Sequence, residues 1–79
     1  MSALSDLPIG GAGQVVRIDG TDDVCLRLLE MGLTPGADVC LRGKAPLGDP
    51  LEIELRGYRL SLRKSEASRV EVKLSKPTN

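Results

Sequence analysis

Residues 51–63 read Leu-Glu-Ile-Glu-Leu-Arg-Gly-Tyr-Arg-Leu-Ser-Leu-Arg, and their alternation of apolar with polar side chains constrains this chain more than any other feature. A period of two belongs to extended backbone, whose successive side chains point to opposite faces. Leu51, Ile53, Leu55, Leu60 and Leu62 therefore turn toward a core, and Glu52, Glu54, Arg56, Arg59, Ser61 and Arg63 toward water. The pair Gly57-Tyr58 supplies a tight connection, because glycine accepts the positive φ that hairpin turns demand. The pattern predicts a hairpin with strands Leu51–Arg56 and Arg59–Arg63.

The same alternation recurs at Arg69–Leu74, with Val70, Val72 and Leu74 inside, and more briefly at Gln14–Asp19 and Ala37–Arg42. In the last of these, Cys40 falls on the wetter face. Lys64–Ser68 is too short for a full helix and suits a single helical turn. One longer helix interrupts the strands. Thr21 or Asp22 caps its start, and Asp22 and Asp23 place negative charge at the positive end of its dipole. Val24, Leu28 and Met31 then recur at helical spacing, widened by Cys25, Leu29 and Gly32, while Leu26, Arg27 and Glu30 point away. Gly32 fits a left-handed cap with Leu33 folded back on Leu28, and Thr34-Pro35-Gly36 forms a turn that cannot continue a helix.

Five short strands in 79 residues, with one short helix between the first two, fit a small all-β barrel of SH3-like type, in which closure removes exposed edges. Residues 1–75 form the domain and 76–79 a flexible tail. The start of the chain has no basic stretch followed by a long apolar run, so neither a signal peptide nor a membrane span is expected, and the protein reads as cytoplasmic.

Composition removes whole classes of chemistry. Without histidine there is no imidazole base and no nitrogen ligand for a transition metal. Cys25 and Cys40 make no C-x-x-C motif and read as reduced, semi-buried thiols. Glu52 and Glu54 share a strand face but alternate with arginines across the hairpin, which favours a solvated charge face over an acid and base pair. Gly10-Gly11-Ala12-Gly13 precedes a strand rather than a helix, so it lacks phosphate-loop geometry. With a single tyrosine and no Phe or Trp, the chain can build neither a proline-peptide groove nor a platform for stacked bases. The reading is therefore of a binding module with no catalytic residues, no cofactor and no metal site.

Charge is uneven along the chain. Residues 56–76 carry seven basic and two acidic side chains, and residues 1–38 carry two basic and six acidic ones. Such polarity steers an oppositely patterned protein surface into register. The loop Lys44–Pro50 holds two prolines around Leu47, a stiff frame that presents an apolar side chain to a partner.

Three spaced motifs together carry a family resemblance: Leu28-Leu29-Glu30-Met31-Gly32-Leu33-Thr34-Pro35-Gly36, then Lys44-Ala-Pro-Leu-Gly-Asp-Pro50, then Leu60-Ser-Leu-Arg-Lys64. Nearly the whole chain resembles FeoA, the small cytosolic accessory protein of bacterial ferrous iron uptake. The resemblance implies an SH3-like barrel with a helical insertion, acting as an adaptor for FeoB, a membrane transporter with a cytosolic GTPase domain. Similar domains end iron-dependent repressors, but this chain is too short to include a winged helix as well. The expected partner is thus a FeoB-like transporter, with the membrane reached only through it, no nucleic acid bound, and weak self-association left open. Leu26, Arg27, Glu30, Leu47, Tyr58 and Arg59 are the expected contacts. Two alternatives compete: a nucleic-acid-binding barrel that uses the basic hairpin, and a metal-responsive module that uses Asp19, Asp22 and Asp23.

Overall fold

A computed structural model describes residues 2–75. These residues form six antiparallel strands: β1 (Ser2–Ala3), β2 (Ala12–Ile18), β3 (Asp38–Lys44), β4 (Leu51–Leu55), β5 (Tyr58–Leu62) and β6 (Val70–Leu74). A 3-10 turn at Leu4–Asp6 follows β1, helix α1 (Asp23–Glu30) links β2 to β3, and the single helical turn α2 (Lys64–Ala67) links β5 to β6. The strands order as β1-β6-β2-β3-β4-β5 in one sheet. The all-β, SH3-like expectation holds, with α1 between the first two of the five long strands. The two-residue β1 is an addition that alternation could not reveal, since two residues carry no period.

The core is aliphatic throughout. Leu4, Leu7, Val15, Leu28, Leu33, Val39, Leu41, Leu51, Ile53, Leu55, Leu62, Val70 and Val72 are all buried in one cluster, with Ile18, Val24, Met31 and Leu60 partly buried against it. Apolar side chains of this size each contribute roughly 1.5–3 kcal/mol when fully buried, so the cluster is the main stabilising force. No buried polar side chain interrupts it among the described residues.

Two bulges keep the alternation in phase with this core. The β2–β6 register runs from Val15↔Val72 to Arg17↔Glu71, leaving Val16 unmatched, and the β3–β4 register skips Arg42 between Leu41↔Ile53 and Gly43↔Glu52. Each extra residue re-aims the strand that follows it. Strict period two would send Ile18 outward with Val16. The bulge returns it to the core.

Three expectations are corrected. The hairpin turn is Arg56-Gly57, not Gly57-Tyr58: both carry positive φ, 53° and 84°, and Tyr58 already pairs with Leu55 in the ladder. Two successive positive φ values define the turn whose twist matches the flanking strands, so the turn moves by one residue and each β4 residue's partner by two, which keeps every side chain on its expected face. Leu74, expected inside, is 54% exposed. It sits at the end of β6 opposite Gly13, which has no side chain to pack against it. The sheet also does not close by hydrogen bonding: among the described residues, β5 pairs only with β4 and β1 only with β6. The fold is a curled, partly open barrel with two strand edges.

Candidate functional site

Helix α1 forms where the sequence sets its caps. Asp22 is the cap, and its Oδ1 accepts from the Cys25 amide at 3.3 Å. Thr21 plays no part in this. The same carboxylate takes two hydrogen bonds from the Arg69 guanidinium, at 2.8 and 2.9 Å, which ties the helix start to the turn before β6. Arg69, with help from the Cys25 amide, holds the Asp22 carboxyl below the usual carboxylate range. At the other end the Leu33 amide donates to the Leu28 carbonyl and the Gly32 amide to Leu29, closing the helix on Gly32 at φ 109°.

This capping leaves Leu26, Arg27 and Glu30 exposed on the outer side of α1, with Leu26 57% accessible. Arg27 reaches Glu66 of α2 in an ion pair. The Tyr58 hydroxyl donates to the Met31 carbonyl at 2.5 Å, so the start of β5 is fastened to the helix end. Arg59 follows on the outer face of the sheet, 3.9 Å from Glu52. Helix α1 and Tyr58 thus form one region, while Arg59 lies on the opposite face of β5.

Leu47 stands apart from them. The β3–β4 loop is held by Ala45 N to Pro50 O at 3.0 Å and Gly48 N to Ala45 O at 2.7 Å, and Asp49 Oδ1 accepts from the Lys64 amide at 2.9 Å. The frame leaves Leu47 96% exposed. Lys44 belongs to β3 and pairs with Leu51, so the loop starts one residue later than the sequence suggests. Leu47 and Tyr58 flank opposite ends of β4, separated by about 13 Å of strand. The expected contact set is therefore spread over three places rather than one: the helix with Tyr58, the outer face at Arg59, and the loop at Leu47.

The outer face of β3–β4–β5 carries charge in rows that the linear sequence does not show. Arg42 of β3 donates to Glu54 of β4 at 2.7 Å, and Arg59 of β5 stands opposite Glu54 and 3.9 Å from its diagonal neighbour Glu52. Arg42 and, more weakly, Arg59 hold the Glu54 carboxyl below its ordinary range. Glu54 thus hydrogen-bonds to β3, with Arg59 of the hairpin as its weaker neighbour. The chain-wide charge asymmetry is partly cancelled on folding, because Arg69 meets Asp22 and Arg17 lies 2.6 Å from Glu71.

Among the described residues no three His, Cys, Asp or Glu side chains come together as a metal cluster. Asp22 is engaged by Arg69, and Asp19 lies 3.4 Å from Arg17. Cys25 and Cys40 are both free thiols. No helix among the described residues is long and apolar enough to cross a membrane. Sequence reasoning overlooked Ile9, which is exposed ahead of β2, and it overlooked the outer edge of β5, because neither an isolated apolar residue nor an unpaired backbone leaves a periodic signal.

Comparison with known proteins places this architecture. The FeoA domain model matches residues 3–74. A fusion of Fe(2+) transport protein A with the Fe(2+) transporter FeoB from Porphyromonas gingivalis is 37% identical over 71 residues, 90% of this chain and 8% of the fusion's own length. The FeoA-like protein of Clostridium acetobutylicum superposes with a TM-score of 0.89 at 36% identity, covering 99% of this chain and 91% of that one. FeoA of Stenotrophomonas maltophilia, a prokaryotic SH3 domain protein solved with zinc, superposes at 0.81 with 34% identity, over 92% of this chain and 91% of that one. A match along nearly the full domain, in sequence and in strand arrangement, means that this chain belongs to the FeoA domain family.

Proposed function

We propose that this protein is a cytoplasmic, non-catalytic accessory of ferrous iron uptake that binds a FeoB-type membrane transporter and modulates its assembly, nucleotide cycle or gating. The observation that carries this reading is the Porphyromonas gingivalis fusion, in which a segment 37% identical to this chain is joined covalently to FeoB. Covalent linkage keeps two partners at high effective concentration, which favours even a weak docking contact. A chain that works by docking must then supply through its own surface what the fusion supplies through its backbone. The region made by Leu26, Arg27, Glu30 and Tyr58 is the leading surface, with Arg59 on the other face of β5 and Leu47 in the β3–β4 loop as separate contacts.

The test is ferrous iron uptake under iron limitation in a strain lacking this gene, paired with cross-linking in cells. The expected result is reduced uptake, restored by the wild-type gene, and a cross-link to the transporter. Wild-type uptake without the gene, together with no cross-link, overturns the reading.

A further inference from the structure

The β4–β5 register decides which backbone groups of β5 are available to a partner. A two-residue turn closes on a hydrogen-bonded pair, here Leu55 and Tyr58, and such pairs alternate with non-bonded ones along an antiparallel ladder. Tyr58, Leu60 and Leu62 therefore spend their amides and carbonyls on β4. Arg59 and Ser61 direct theirs away from it. Beyond them the sheet order ends, and no backbone hydrogen bond from another element reaches either residue among the described residues.

An open edge of this kind templates another strand unless something opposes it. Here the opposition is charge, and it is selective. On the outer face the rows run Arg42, then Glu52 and Glu54, then Arg59, so the sign alternates from strand to strand. Arg63 follows Arg59 and Ser61 on the same face, exposed and without an ion pair among the described residues. The next row in this series is acidic. On the opposite side of β5, Leu60 is half-buried and Tyr58 is 47% exposed, so a neighbouring strand would meet apolar surface there. A second copy of β5 is a poor occupant, because edge-to-edge pairing would bring Arg59 and Arg63 of both copies onto one face.

We propose that the β5 edge accepts an extended segment of the partner protein as an added strand, one in which acidic residues alternate with apolar ones. β4, Leu51-Glu-Ile-Glu-Leu55, already pairs with β5 in that pattern from the other side. The proposal rests on the reading above in taking the segment from the transporter. Backbone hydrogen bonds to Arg59 and Ser61 supply affinity, and the arginines supply preference for acid.

Hydrogen exchange resolved by residue tests this with two probes: the intact FeoB-type transporter in lipid nanodiscs, and a blocked peptide of sequence Leu-Glu-Ile-Glu-Leu. With either probe, the Arg59 and Ser61 amides should slow by roughly tenfold or more on binding, while Leu60 and Leu62, already bonded, change little. Ser61→Pro removes the outward amide without taking a ladder hydrogen bond from β4, and should abolish binding of both probes. Arg59→Glu, which leaves the backbone intact should the proline variant misfold, should weaken them about tenfold. Binding of the transporter with Arg59 and Ser61 still exchanging freely overturns the edge and leaves the functional reading standing. Protection by the peptide without any transporter binding supports the edge and overturns the functional reading. No protection by either probe overturns the proposal.

Discussion

The two edges of the sheet solve one problem in opposite ways. β1 is two residues long, pairs with β6 through Ser2↔Val72 and Ala3↔Glu71, and leads at once into a 3-10 turn whose Leu4 is fully buried. So short a strand offers a neighbour almost no ladder. β5 is five residues long and relies on arginines rather than brevity. The difference teaches that shortness removes an edge from use, whereas charge leaves it usable by a partner of the right sign. Two strands with similar positions in the topology thus have different functional capacity.

Ile53→Ala gives the largest effect expected on this comparison. Ile53 is wholly buried in β4, behind β5, and its truncation should cost about 2–5 kcal/mol. Urea unfolding should show one transition moved to lower denaturant, with protection at β1 and β5 lost together. Earlier loss at β5 alone would show that the edges belong to separate cooperative units.

Gly32→Ala should act next, and on the β5 side. A Cβ at φ 109° would also stand 3.0 Å from Leu55 Cδ2 and 3.1 Å from the Tyr58 hydroxyl. Strain of this kind costs roughly 1–3 kcal/mol, and amide shifts should change around Tyr58 but not at Ser2 or Ala3. Tyr58→Phe keeps the ring and removes the hydrogen bond to Met31, for a loss of about 0.5–1.5 kcal/mol by chemical unfolding. An unchanged midpoint would show that the helix does not brace the β5 edge.

The smallest effect is a pH dependence at the start of the helix. Asp22 has its carboxyl held below the ordinary range by Arg69, so it binds a proton more readily unfolded than folded. Its contribution is present in full above the ordinary carboxylate range and is lost as pH falls through the lowered native value. Asp22→Asn should therefore lower stability slightly at neutral pH and flatten the acid limb of the melting-temperature profile. A profile of unchanged slope would exclude Asp22 as a source of acid lability.

Much of this architecture was legible in residue order because local rules settle it. The strands at Leu51–Leu55 and Val70–Leu74 follow from alternation, the helix from Asp22 and Gly32, and the exposure of Leu47 from its flanking prolines. Where local rules gave out, neighbours decided. Arg56 takes a positive φ that side chains disfavour, because the ladder on either side requires a matched turn there. Leu74 follows the core pattern yet lies beyond the core's end.

The candidate surface divides along the same line. The sequence by itself established an aliphatic sheet protein without catalytic histidine chemistry, the extent of its helix, most strand members of its core but neither Leu4 nor Leu7, and the chain's kinship with FeoA, because composition, period and motif are properties of residue order. Tertiary structure alone placed Leu47 at the other end of β4 from Tyr58, matched Glu54 with Arg42, and left the outward backbone groups of Arg59 and Ser61 without a strand neighbour among the described residues. Strand order and register are set by which segments meet across long loops, and that is fixed only when the whole core packs at once.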